Sequence, residues 1–111
     1  MRKKTLVLLV LALILIGGLG ALIWTHEMTH IEINSKHGAE SEMHFLDSLS
    51  DDRFAYVVRT EPCKYYCEEM FLAHDLNEVF GYTVHTLYIL FMAVIMVLYD
   101  AFAENKESEE K

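Results

Sequence analysis

The stretch Thr5–Trp24, TLVLLVLALILIGGLGALIW, runs for twenty residues without an ionisable side chain. As an α-helix rising about 1.5 Å per residue it would cover about 30 Å, the thickness of a bilayer's hydrocarbon core. A second stretch, Val79–Tyr99, VFGYTVHTLYILFMAVIMVLY, is as long and holds one titratable group, His85. The whole chain has 111 residues, 53% of them hydrophobic. Once the two stretches are set aside, little apolar material remains for a water-soluble core, and the length allows one small domain. The expected fold is an α+β membrane protein. Two antiparallel transmembrane helices would carry a small extracytoplasmic cap built from a β-hairpin and helical extensions.

Charge gives the expected orientation. Arg2, Lys3 and Lys4 abut the first span, so the N-terminus should stay in the cytoplasm. The segment between the spans has four Lys or Arg against twelve Asp or Glu, which suits the outer face. The chain then divides into residues 1–24, a cytoplasmic N-terminus and first span; 25–78, the extracytoplasmic cap; 79–102, the second span; and 103–111, an acidic cytoplasmic tail. Both termini lie inside a two-pass cell-membrane protein, with the lipid bilayer as first partner. The net charge of −8 and the lack of any basic patch argue against nucleic acid.

A cleaved leader is the competing reading of residues 1–24, because Gly18, Leu19 and Gly20 precede Ala21. The apolar run continues to Trp24, longer than a usual leader core, and this favours a retained anchor. Gly17, Gly18 and Gly20 would loosen the helix or admit a close neighbour. Trp24 suits the membrane interface. Beyond it His26, His30, Ile33 and His37 keep helical spacing, and Gly38 fits the position just past a helix end.

The period then changes. Met43 and Phe45, then Phe54, Tyr56 and Val58, alternate with more polar neighbours, and residues 48–52 (SLSDD) supply a turn. A two-stranded hairpin is expected, resting on the helices or the membrane because it is marginal alone. Thr60-Glu61-Pro62 looks like a helix start. From there Cys63, Cys67, His74, Glu78 and His85 follow one helical stripe, with Gly81 placed to break or bend it. The two cysteines are expected to pair outside the cell, although four-residue spacing on a regular helix is awkward for a disulfide.

The chemistry is concentrated in His26-Glu27-Met28-Thr29-His30, an H-E-x-x-H pentad. On a helix the two histidines share a face and can hold one metal ion, zinc above all, while the glutamate lies beside them to accept a proton from water. Chance produces five-residue patterns, so the surroundings must support this one. With Trp24 and Tyr82 as interface markers, His26 stands about 3 Å and His30 about 9 Å above the membrane. Glu78 stands about 6 Å up by the same count, between them, as the expected third ligand. His74, about 12 Å up, and His85, about 4 to 5 Å below, are the alternatives. His37 and His44 read as ordinary polar residues of the cap.

The pentad followed by His74-Asp75-Leu76-Asn77-Glu78 resembles the gluzincin metallopeptidases, which add a glutamate from a second helix, often in an Asn-Glu pair. That resemblance implies His26, His30 and Glu78 as zinc ligands and Glu27 as general base. The family's aspartate four residues beyond the glutamate is Tyr82 here. Residues 26–45 also resemble the site-2 proteases, with the pentad on a membrane helix, Gly38 eight residues on, and then a strand. The later Asn-Pro and Leu-Asp-Gly motifs of that family are absent. A metzincin fits poorly, since its third histidine would fall on Lys36 and its glycine on Ile33. The implied activity is peptide-bond hydrolysis at the membrane surface, on a peptide or membrane-protein substrate. A cap of about fifty residues offers little wall for a cleft of roughly 300 Å³ or more. A second copy, another subunit or the membrane would complete it. The alternative is a non-catalytic membrane subunit whose metal or disulfide staples a cap too small to fold alone. A third reading is an interaction protein without metal.

Overall fold

The computed structural model describes residues 2–45 and 55–109. Four elements follow one another: helix α1 (Lys3–Lys36), strand β1 (Ser41–Phe45), strand β2 (Ala55–Arg59) and helix α2 (Cys67–Glu109). The result is α+β, with two long helices and a two-stranded antiparallel sheet. Both helices are long and apolar enough to cross a membrane. Their apolar stretches are turned outward: Leu13 and Ile16 are each 68% exposed, and Val97 67%. In water such surfaces would be a large unpaid hydrophobic cost, whereas in lipid they have none.

The helices lie side by side and antiparallel along the long axis of a molecule measuring 70 × 27 × 19 Å. Contacts at three heights hold that arrangement. At one end the Lys4 ammonium meets Asp100 at 2.8 Å and Glu104 at 3.4 Å. In the middle the Tyr88 hydroxyl donates to the Ile14 carbonyl at 2.6 Å. A Cβ on Gly18 would collide with that tyrosine ring, so Gly18 is the glycine that admits the neighbour. Nothing lies within 4 Å of such an atom at Gly17 or Gly20. At the other end α1 and α2 meet through their histidines and Glu78.

Helix α1 passes unbroken through its glycines and ends as its sequence suggests. Gly38, at φ +74°, takes the left-handed conformation that closes the helix. The Ala39 amide donates back to the Asn34 carbonyl at 2.9 Å and the Gly38 amide to Ser35 at 3.2 Å, a Schellman closure. The strands pair with Glu42 opposite Val58 and His44 opposite Tyr56. Trp24 packs edge-on against Phe45, with ring centres 5.4 Å apart, and so seats the hairpin on α1. Phe54 and the expected turn at 48–52 lie outside the described residues.

Two expectations need correction. Helix α2 begins at Cys67, not near Pro62, and Cys63 therefore does not belong to its stripe. Tyr66, at φ 53°, breaks the helical path just ahead of Cys67. The pair Cys63–Cys67 is a disulfide with a Cα–Cα distance of 5.8 Å, reached without helical geometry between the two residues. The Lys64 amide donates to the His37 carbonyl at 3.0 Å, and the His37 ring N–H donates to the Tyr65 carbonyl at 3.1 Å. The crosslinked turn thereby ties the start of α2 to the end of α1. Gly81 does not break α2, which is continuous from Cys67 to Glu109.

Candidate metal centre

Helix α1 continues beyond its apolar stretch for three turns, and this extension carries His26 and His30 on the face turned to α2. Helix α2 runs the other way and presents Glu78 between them. His26 Nε2 lies 3.0 Å and His30 Nε2 2.5 Å from the same oxygen, Glu78 Oε1. The potential ligand atoms of His26, His30 and Glu78 fall within 4.8 Å of one another, a group that can hold a metal ion. Two neutral imidazoles and one carboxylate are a donor set suited to zinc, and catalytic zinc sites use three such protein ligands. The donor chemistry fits the ion.

Close approach of the helices has a specific cause. The His26 ring rests on Gly81, where a Cβ would overlap Nδ1 and Cε1. Asn77, one residue before Glu78, donates from Nδ2 to the His26 carbonyl at 3.2 Å and fastens the same turn of α1. His26 Nδ1 itself is buried and has no hydrogen-bond partner among the described residues.

His74 and His85, the alternative third ligands, are both near the group but hold other positions. His74 stacks on His30, with ring centres 4.9 Å apart, and its Nδ1 lies 2.7 Å from His30 Nδ1, the nitrogen facing away from Glu78. Its Nε2 lies 2.7 Å from Asn34 Oδ1. His85 meets His26 edge to face at 5.7 Å. His44 stacks on Tyr56 in the hairpin, and His37 serves the turn before α2.

His26, His30, His74, Glu78 and His85 line a cavity of about 590 Å³ that the helices share with β2. Glu27, His26, His30 and Glu78 form its helical wall, and Tyr56, Val57 and Arg59 the facing one. Ile23, Tyr82 and His85 reach it from the apolar stretches. The volume lies within the usual range for a ligand pocket, and the cleft is open to solvent on one side.

Electrostatics separates the carboxylates. Burial raises the Glu27 carboxyl above its ordinary range, against the pull of His26 and His30. Burial would raise Glu78 as well, but the hydrogen bonds with His30 and His26 outweigh it and the net direction is down. Glu78 stays an anion suited to a cation, while Glu27 is the more basic of the two. Burial also lowers His74, reinforced by His30 and Arg59.

Two participants escape the sequence reading. Asn34 is four residues beyond His30, so the four-residue step from His26 to His30 points to it, yet asparagine is not a metal-site signature. It is 4% exposed and is the buried polar side chain of the described residues. Arg59, on a strand whose far end alternates weakly, could not be placed without the tertiary structure. Compared with protein-family models, curated proteins and solved structures, the chain matches none.

Proposed function

We propose that this chain is a membrane-anchored, metal-dependent peptidase that hydrolyses peptide bonds at the membrane surface. Zinc is the ion of this reading, held by His26, His30 and Glu78. One observation carries the proposal: three ligand atoms within 4.8 Å of one another on the wall of a cavity that Glu27 also lines. When bound, the metal supplies a Lewis acid that makes water a better nucleophile and polarises a carbonyl. Glu27 is the general base. It takes a proton from the attacking water as the C–O bond forms, then returns it to the amide nitrogen as the C–N bond breaks. A carboxylate made more basic by burial is better matched to that exchange than an exposed one. The cavity's contact with Ile23, Tyr82 and His85 places it at the lip of the apolar stretches, which suits a membrane-protein segment or a peptide lying on the bilayer.

In this reading the helices cross the cell membrane, the cap faces outward and both termini are cytoplasmic, as Arg2, Lys3 and Lys4 favour. A structural role for the metal is the second reading. It is favoured by the cap's small core, in which Ala39 and Met70 are the buried apolar residues among those described.

Glu27→Gln separates the two. It keeps the side chain's size and removes the base, so zinc content should persist while hydrolysis of membrane-presented peptides falls by about 10² or more. Glu78→Gln should weaken zinc affinity itself. Full loss of metal in Glu27→Gln, or unchanged metal in Glu78→Gln, would overturn the assigned roles.

A further inference from the structure

The hydrogen-bonded chain behind the metal group has a direction, and its terminus sets it. Asn34 presents Oδ1, an acceptor with no hydrogen, to His74 Nε2 at 2.7 Å. His74 Nε2 must therefore carry a hydrogen and donate it. A neutral imidazole carries one hydrogen, so with that hydrogen on Nε2 the other nitrogen of His74, Nδ1, is bare and can only accept. The partner of that nitrogen, 2.7 Å away, is His30 Nδ1, which must be the donor. With its hydrogen on Nδ1, His30 has its Nε2 lone pair free at the position facing His26 and Glu78. A bare nitrogen 2.5 Å from a carboxylate oxygen requires a cation at the junction, either a proton or a metal ion. In both cases Nδ1 keeps its hydrogen.

We infer that Asn34 and His74 are positioning residues that fix the tautomer of His30, keeping its hydrogen on Nδ1 and turning Nε2 toward the His26–Glu78 group. Only the effect on metal affinity rests on the proposed metal site; the tautomer does not. The arrangement does for His30 what a carboxylate does for histidine ligands in many zinc sites, where such partners orient the ring and raise its basicity. Here the acceptor is an amide acting through a second imidazole. Its placement is firm, because the backbone carbonyl of Asn34 closes the end of α1 and its side chain is buried. His26 has no comparable support, since its Nδ1 is without a partner.

The test has two arms on the full chain in detergent. Nitrogen-15 NMR of histidine-labelled, metal-free protein reads the tautomers directly. His74 should carry hydrogen on Nε2 with Nδ1 bare, and His30 should carry hydrogen on Nδ1. The reverse, with hydrogen on His74 Nδ1 and His30 Nδ1 bare, would overturn the inference. The second arm measures zinc affinity by chelator competition. Asn34→Leu and His74→Phe should each bind zinc about 10 to 100 times more weakly. Asn34→Asp, which can only accept, should bind at least as tightly as wild type. A merely structural Asn34 gives a different order, because burying a charge costs stability whereas leucine restores apolar packing. Wild-type zinc affinity in both Asn34→Leu and His74→Phe would therefore contradict the inference while leaving the metal site intact. If wild type itself bound no zinc, the metal reading would fail, and the NMR arm would still decide the tautomer.

Discussion

Gly81→Ala tests the geometry in an unusual way, because it should improve the helix and damage the site. Glycine in a helix interior is less favourable than alanine by about 0.8–1 kcal/mol, so α2 itself gains from the change. The new methyl would, however, occupy space that His26 Nδ1 and Cε1 fill. Carbon and nitrogen atoms settle at about 3.5–4.0 Å, and restoring that distance moves the ring by more than about 1 Å. Metal–ligand distances tolerate about 0.2 Å. His26 would then leave the group by rotating its ring away from residue 81. A misplacement of about 1 Å can cost about 10² in rate in a preorganised site, and a loss of that size in affinity corresponds to about 2.8 kcal/mol. Zinc affinity is to be measured by chelator competition, beside thermal unfolding of the metal-free protein. The expected pattern is affinity lowered by about 100-fold or more with metal-free stability equal or higher. Gly17→Ala is the control, since nothing lies within 4 Å of its added methyl. A folded Gly81→Ala protein with wild-type affinity would refute the claim that Gly81 exists to admit His26.

Other outcomes follow from the same structure. Replacing both Cys63 and Cys67 with serine should leave zinc bound, because their disulfide belongs to the turn before α2; metal loss from a variant that stays folded would contradict this. Cysteine-accessibility mapping should find residues 40–60 outside the cell and both termini inside, and labelling of 40–60 from the cytoplasm would reverse the topology. Tyr88→Phe should cost less than about 1 kcal/mol, as polar contacts between helices in lipid usually do. Gly18→Leu should instead drive the helices apart by displacing the Tyr88 ring. Comparable unfolding free energies for these two variants in bicelles would show that helix approach at Gly18 does not matter.

The long elements were legible because their signals are local. Two unbroken apolar stretches mark the two helices, and Gly38 marks the end of the first through its own backbone preference. The paired heights of His26, His30 and Glu78 could be counted along two continuous helices, and the structure brings those three together. Less local features were not readable. Pro62 suggests a helix start, but Tyr66 and the disulfide delay it to Cys67. Gly81 looks like a weak point in a helix until the ring packed on it is seen. Asn34 and His74 acquire meaning only together, since the donor–acceptor order between them and His30 depends on contacts across forty residues.

The central claim is that His26, His30 and Glu78 hold a metal ion. Its most direct test is the zinc content of the purified chain after metal loading and removal of excess, measured for wild type beside His26→Ala in the same detergent. The account predicts about one zinc per wild-type chain and a large loss in His26→Ala, with helical content retained. Zinc-free wild-type protein, or undiminished zinc in His26→Ala, would contradict it.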